Sequence, residues 1–471
     1  TGGYGAEFGR SLGGVVNQIT KRGTNEFHAG GNVFWSPSSL DSNNADTYYS
    51  NPLTPNDFGD LRADNSHDKA DLWRASVWAS GAIIKDRLFF YGLLSYARQD
   101  NETYGSVQAV TNTDSRNKAP QWVLKMDWNI SDNHLLEFTA FSDKNTTYTD
   151  SYDNAPGSFV RGAYNGQTVT EGGGENYILK YTGYITDNFT LSALAGQSTF
   201  ARSSYVIGPT GTVGFYDGNF TVPTPGVAPN GCSVIIDSRA AIRTNVSGVY
   251  SGCSISNGTL QDVNSGDKRN QYRIDAEWQL GDHLLRFGLD ADQYKSRDGS
   301  AREGGYQWTY LTSANGTPNN TADDFDVARL QYTSQGADVE VKQHAFYIED
   351  SWNITDNFVA YLGGRWDTFK NINGQGGTYV NIKNQFGPRL GFSWDVFGDS
   401  TFKVFGNAGR YALPLTPSVA VRGASASLFT REDFRPANGA SYFVIDPVTG
   451  APLNAVTRGN FRFINAETGN P

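Results

Sequence analysis

Residues 271–280 read Q-Y-R-I-D-A-E-W-Q-L. On an extended chain Tyr272, Ile274, Ala276, Trp278 and Leu280 share one face, and Gln271, Arg273, Asp275, Glu277 and Gln279 share the other. Side chains alternate across a strand with a period of two, so this stretch is a β-strand with one greasy and one charged face. After Gly281-Asp282 the pattern resumes, with Leu285, Phe287, Leu289 and Ala291 opposite Arg286, Asp290 and Asp292.

The same reading extends outward in both directions. Trp122, Leu124, Met126, Trp128 and Ile130 alternate with Lys125, Asp127 and Asn129, and Phe386, Pro388, Leu390, Phe392 and Trp394 with Arg389, Ser393 and Asp395. Two runs break the rule: residues 88–96 are apolar on both faces, and Asp350 falls in phase with Phe346, Ile348 and Trp352. Short polar turns recur at Lys85-Asp86-Arg87, Ser131-Asp132-Asn133, Thr186-Asp187-Asn188, Gly281-Asp282, Thr355-Asp356-Asn357 and Gly398-Asp399-Ser400, each joining two alternating runs as a tight hairpin. Between hairpins the links are long and rich in Gly, Asn, Ser, Asp and Thr: roughly 36–71, 100–120, 148–175, 204–267, 298–341 and 371–383.

Composition bounds the answer. The chain has 471 residues, with Lys+Arg 38 against Asp+Glu 48 and a net charge of −10, which argues against a nucleic-acid partner. It carries 53 Gly, 25 Tyr, 28 Phe and 10 Trp but 1 Met and 2 Cys. No run of 18 apolar residues occurs, so no transmembrane helix is expected. A soluble all-β protein and a membrane β-barrel both remain, because alternating strands average out as polar. Strict alternation of tight turns with long loops favours the barrel: outer-membrane barrels have short periplasmic turns and long external loops, and strands of about ten residues cross a bilayer. The fold class expected is therefore all-β, a transmembrane antiparallel barrel. Thirteen strands are counted, whereas bacterial single-chain barrels have an even number. The expectation is a piece of a larger barrel, with residues 414–471 forming one more external loop.

The first 23 residues do not fit the wall. They read T-G-G-Y-G-A-E-F-G-R-S-L-G-G-V-V-N-Q-I-T-K-R-G, followed by T-N-E-F-H-A-G-G-N-V-F-W. This resembles the end of the plug domain of TonB-dependent outer-membrane transporters running into the first barrel strand, in particular the Oar-like branch; Ala29 stands where that pattern has Gly. The resemblance implies residues 1–23 as the plug's C-terminal end, 24–413 as the first thirteen of 22 strands, and a Gram-negative outer-membrane location. It also implies TonB as a partner through an upstream segment, outer-membrane lipid or lipopolysaccharide around the wall, and an unidentified transported ligand. The function expected is ligand capture at the outer face followed by plug displacement. A passive porin or export barrel without TonB coupling, and a soluble surface adhesin, are the alternatives.

Candidate chemistry is sparse. Gly9-Arg10-Ser11-Leu12-Gly13 matches G-x-S-x-G, but that elbow needs a preceding strand and a following helix, and here a strand follows. No enzyme and no cofactor is expected. Asp323, Asp324 and Asp326 are weak Ca²⁺ candidates without a recognisable ligand pattern. Glu7 and Arg10 are the plug-side residues expected to meet the inward charges of the wall. Tyr306, Trp308, Tyr310, Phe429 and Tyr442 either stack on a ligand or pack the loops together.

Cys232 and Cys253 share one long link, with no other Cys to compete, on the oxidising side of the membrane. Closing that loop contributes about 3 kcal/mol in the chain-entropy model. Non-reducing mass spectrometry is expected to find the two linked; free thiols in the native protein would contradict an external loop.

Overall fold

The computed structural model describes residues 4–10, 19–50, 58–104, 111–154, 160–211, 213–216, 234–237, 239, 248–250, 259–313, 325–417, 419, 428–437, 440, 443–446, 449–457 and 462–465. Thirteen strands run up and down beside one another in chain order. They are β1 (His28–Ser36), β2 (Lys69–Ile84), β3 (Leu88–Thr103), β4 (Thr111–Ser131), β5 (His134–Ser142), β6 (Glu175–Thr186) and β7 (Phe189–Ala201). The wall continues with β8 (Gly266–Leu280), β9 (His283–Ser313), β10 (Phe325–Thr355), β11 (Phe358–Ile372), β12 (Thr378–Asp395) and β13 (Lys403–Gly409). Every neighbouring pair is antiparallel. Among the described residues β1 and β13 each have a single ladder partner, so the sheet is open.

Burial is inside out relative to a water-soluble sheet. Tyr272, Ile274 and Leu289 are 60 %, 53 % and 57 % exposed, while Asp290, Asp292 and Arg365 are 4 %, 3 % and 0 % exposed. Register makes the greasy face continuous: Ile274 lies between Ala193 and Leu289 on its two neighbours. In a hydrocarbon medium this is the stable arrangement, because the ladder pairs the backbone N–H and C=O groups between neighbouring strands and the side chains facing outward are apolar.

The tight-turn end carries an aromatic belt. Trp128, Trp278, Trp352 and Trp394 are all outward and about 40 % exposed, each four or five residues before the Asp of a tight turn: W-N-I-S-D, W-Q-L-G-D, W-N-I-T-D and W-D-V-F-G-D. Phe189 packs edge-on to Trp278, and Phe358 to Trp394. Indole rings at one level are what a membrane–water interface selects. The two-residue turn between β8 and β9 places Gly281 at φ +60°, the left-handed region that a primed hairpin turn requires.

Both breaks in the alternation have local causes. Asp350, on the greasy face, accepts from His283 Nδ1 at 2.8 Å, and His283 stacks on Trp352 with ring centroids 5.0 Å apart. The carboxylate thus sits within the interfacial belt with a partner. The second apolar face of β3 is covered from within: Tyr91 stacks on Trp78, Lys21 Nζ lies 5.6 Å over the Trp78 ring, and Arg22 reaches Asp127 at 3.5 Å. The N-terminal segment, not lipid, faces those rings.

The long links differ from expectation. β9 and β10 are 31 residues each, and the stretch expected as a loop over 298–341 is largely their continuing ladder. Residues 145–154 and 161–172 likewise form a hairpin against β4, and Leu428–Pro436, in the tail expected as loop, pairs with residues 328–334 of β10. Beyond the bilayer a strand no longer has a lipid side, so its apolar residues come in short patches that cover one another while its hydrogen bonds continue. These extensions hold the largest apolar core, in which Ile235, Tyr306, Trp308, Tyr310, Leu330 and Phe443 pack together. Beside it, burial opposes ionisation of Asp433, but hydrogen bonds from Arg431 and Arg329 outweigh it and hold its carboxyl at about 2.

Ile274 lies six residues from its turn, roughly 15 Å up a strand tilted by about 40°, close to the bilayer midplane. Ile274→Arg is expected to destabilise the folded protein by roughly 2–4 kcal/mol, and Lys268→Arg to be neutral. Urea unfolding in lipid vesicles measures both; equal midpoints would contradict a lipid-facing Ile274.

Candidate functional site

The charged faces of β8 to β12 cannot be left bare, since a buried charge without a partner costs several kcal/mol. Residues 4–10 supply partners. Arg365 is fully buried; its Nη2 donates to Asp290 at 2.9 Å and its Nε to Asp367 at 3.0 Å. Its Nη1 donates to the carbonyls of Ala6 and Glu7 at 3.4 and 3.3 Å. Glu349, 2 % exposed, accepts from the Ala6 N–H and from the Tyr361 hydroxyl, both at 2.5 Å. The Ala6 N–H is shared with the Tyr361 oxygen at 2.6 Å.

Arg389 closes one end. It donates to the carbonyls of Tyr4, at 3.2 Å, and Gly5, and its guanidinium stacks between the rings of Tyr4 and Tyr411 at 4.9 and 4.6 Å. At the other end Glu7 pairs with Arg273 at 3.1 Å, and Arg10 pairs with Asp290 at 3.5 Å and with Asp292. Burial raises the pKa of Glu7, and Arg273 only partly offsets it. Burial lowers that of Arg10, against the pull of Asp290.

Shape enforces the fit. A Cβ on Gly9 would stand 2.6 Å from the Arg365 guanidinium, and one on Gly363 would stand 3.2 Å from the Ala6 methyl. Arg10 adopts φ +60°, the conformation that turns its side chain toward Asp290 and Asp292. The socket therefore reads backbone carbonyls and an N–H at positions where side chains are small or absent. What it does chemically is match the wall charges named above with backbone groups and opposite charges of residues 4–10.

Next to the socket, on the same inner face, is a cavity of about 540 Å³ lined by Arg202, Arg269, Tyr294, Asp298 and Pro417. Arg269 Nη2 donates to Asp292 at 2.7 Å, the carboxylate that also holds Arg10. One acid is thus shared between the cavity wall and the N-terminal segment.

The sequence-derived candidates divide. Glu7 and Arg10 stand against the wall with the partners given above. Tyr306, Trp308 and Tyr310 are 0 %, 2 % and 0 % exposed inside the outer core, so they are not available to stack on a ligand in this structure; Tyr310 donates to the Gly450 carbonyl at 2.6 Å. The reason is that their strands stay paired outside the membrane and are covered by Phe443 and Phe434. Phe429 is half-buried. Asp326 is fully buried and occupied by Arg239 Nη1 at 3.1 Å, which leaves it no freedom as a calcium ligand. Tyr442, Cys232, Cys253, Asp323 and Asp324 lie outside the described residues. Sequence reasoning missed Glu349 and Tyr361; the signal for Glu349 was a lone acid on the inner face of β10, in phase with Tyr347.

Comparison with known proteins agrees with the fold. A family model described as "Outer membrane beta barrel domain" matches residues 93–382. The TonB-dependent transporter Oar of Myxococcus xanthus is 25 % identical over 87 % of the chain, and the chain spans 43 % of that relative's length. The outer membrane transporter YddB of Escherichia coli superposes with a TM-score of 0.51 at 14 % identity, over 92 % of this chain and 52 % of that one.

Removing one partner of a buried ion pair costs about 3–5 kcal/mol. Arg10→Ala in the full-length protein is expected to loosen the seat and raise outer-membrane leak to bulky antibiotics, and Gly9→Val to do so more strongly. Antibiotic sensitivity reads the leak; an unchanged sensitivity in both variants would show that the contacts gate nothing.

Proposed function

The chain belongs to the outer-membrane β-barrel domain family and resides in the outer membrane of a Gram-negative cell; from that premise we propose that it is the plug-end and wall portion of a TonB-dependent transporter. In this reading residues 1–23 are the end of the plug, 24–413 the first part of a 22-stranded wall, and 414–471 part of the outer layer. The ligand is captured at the outer face and released inward when TonB displaces the plug. The observation that carries the proposal is the socket: five consecutive wall strands present buried or partly buried ions to residues 4–10, and those ions are matched by backbone groups and by Glu7 and Arg10. A passive pore has no use for a segment bound this closely. Likeness to the Myxococcus xanthus transporter supports the same reading.

The contact between Ala6 and Gly363 supplies the test, because a Cβ on Gly363 would approach the Ala6 Cβ to 3.2 Å, close to disulfide geometry. Cells depending on the full-length protein for growth on a given nutrient are expected to lose that growth with A6C/G363C and to recover it on adding dithiothreitol. Dissipating the proton gradient is expected to abolish growth-supporting uptake as well. Uptake indifferent to both the lock and the gradient would establish a passive pore instead.

A further inference from the structure

The T-N-E-F-H stretch that leads into β1 is held away from the socket, at the first tight turn of the wall, between β2 and β3. Asn25 Nδ2 donates to the Asp86 carboxylate at 2.5 Å, and the Asp86 N–H donates back to Asn25 Oδ1 at 2.8 Å. Asp86 adopts φ +62°, the left-handed conformation of a tight turn, so the turn itself sets the direction of that N–H. The turn is in addition tied to β4: Asn129 Nδ2 donates to the Asp86 carbonyl at 3.1 Å, and the Asn129 N–H to the Arg87 carbonyl at 2.7 Å. Thr24 Oγ1 donates to the Glu26 carbonyl at 3.1 Å and closes the stretch on itself.

Residues 21–23 continue this attachment along the inner face of the same strands. Lys21 lies over Trp78 of β2, and Arg22 reaches the fully buried Asp127 of β4 at 3.5 Å. Gly23 is buried, and a Cβ on it would stand 2.5 Å from the carbonyl oxygens of both Gly81 and Phe90, so its backbone lies directly on the ladder of β2 with β3. Three residues after Asn25 the chain becomes β1, and all nine residues of β1 pair with β2. The attachment at 21–25 is therefore continuous with a hydrogen-bonded ladder. Among the described residues, 4–10 form no ladder with the wall and are held by side chains of β8 to β12.

Order along the chain decides which attachment yields. A pull that enters upstream of residue 4 loads the socket first, and it reaches residues 21–25 only after residues 4–10 have left. Arg10 and Lys21 are eleven residues apart, a span of at most roughly 37 Å when fully extended. That exceeds the ~30 Å hydrocarbon core, so a segment anchored at the tight-turn end can leave the socket completely while its anchor stays in place. We propose, on the displacement reading above, that residues 21–25 are a fixed hinge: the plug end swings out of the socket and remains tied to β2, β3 and β4. Asn25 and Asp86 are its positioning residues. Release then bares the charged wall of β8 to β12, while the inner face of β2 to β4 stays covered by Lys21, Arg22 and Gly23.

The test pulls the full-length protein, held in lipid vesicles, by its N-terminus in a force microscope, and needs no ligand. Tension is expected to empty the socket and then to stop at residue 21 until β1 fails at higher force. Against the disulfide-bridged A6C/G363C variant, the parent is expected to release the fifteen residues from Ala6 to Lys21 more, roughly 50 Å of chain, before that stop. The N25A/D86A variant is expected to move the stop out to the start of β1, twenty-two residues from Ala6 or roughly 75 Å. A parent that already stops at roughly 75 Å peels residues 21–25 away with the plug; that overturns the hinge and leaves displacement standing. A folded N25A/D86A variant that stops where the parent does overturns the role of Asn25 and Asp86. Should that variant fail to fold, the difference between the parent and bridged A6C/G363C decides alone. Equal release by those two proteins shows that the socket does not hold residues 4–10, and the displacement reading falls together with the hinge.

Discussion

The absence of water on one side of the sheet governs everything else in this molecule. A strand in hydrocarbon must satisfy its backbone within the ladder and must send its polar side chains to the other face. The charges therefore collect on the inner face of the wall, where Arg365, Asp290, Asp292, Glu349 and Arg389 are nearly removed from solvent. Such charges are stable only in pairs or against backbone dipoles. The N-terminal segment is bound because it completes them, so placement in lipid and retention of residues 4–10 share one cause.

The wall was legible because lipid imposes a rule on every second residue. Residues 271–280 obey it without exception, and the thirteen strands follow from repeating that reading. Where lipid stops, the rule stops. Residues 298–313 and 325–341 continue as strand with only short apolar patches, such as Tyr306, Trp308 and Tyr310, set among Gly and charged residues, and Leu428–Pro436 mixes Arg431 and Asp433 with Phe429 on one face. Period-two reading assigns such stretches to loops because their hydrogen bonds, which do persist, leave no mark on side-chain polarity. Asp350 broke the rule for a different reason: its partner His283 is 67 residues away in sequence and adjacent only through the register of β9 with β10.

The socket was half legible. Glu7 and Arg10 stood out because they are the charges of the E-F-G-R stretch that resembles a plug end, and Arg389 because it alternates with apolar residues on its strand. What no spacing announces is that Glu349 and Tyr361 converge on the amide of Ala6, since that depends on a close approach between residues 343 positions apart. Gly9 carried the clearest unread sign: the position is small because the Arg365 guanidinium occupies the space a side chain would take. The aromatic stretch around Trp308 left ligand stacking and loop packing both open, because aromatic residues outside a membrane serve a core as readily as a ligand.

The hairpin of β9 and β10 has a mechanical meaning. Its lower half bears Asp290, Asp292 and Glu349, and its upper half bears Tyr306, Trp308 and Leu330 within the outer core. A continuous antiparallel ladder is stiff along its length, so a load applied to the outer core travels down the same two strands to the carboxylates that hold the segment. The ladder loses register once, between Ala301 and Tyr306. That break divides the hairpin into a longer ladder anchored in the membrane and a shorter one in the outer core, and it is the one place in this hairpin where the described pairing does not carry load strand to strand in register.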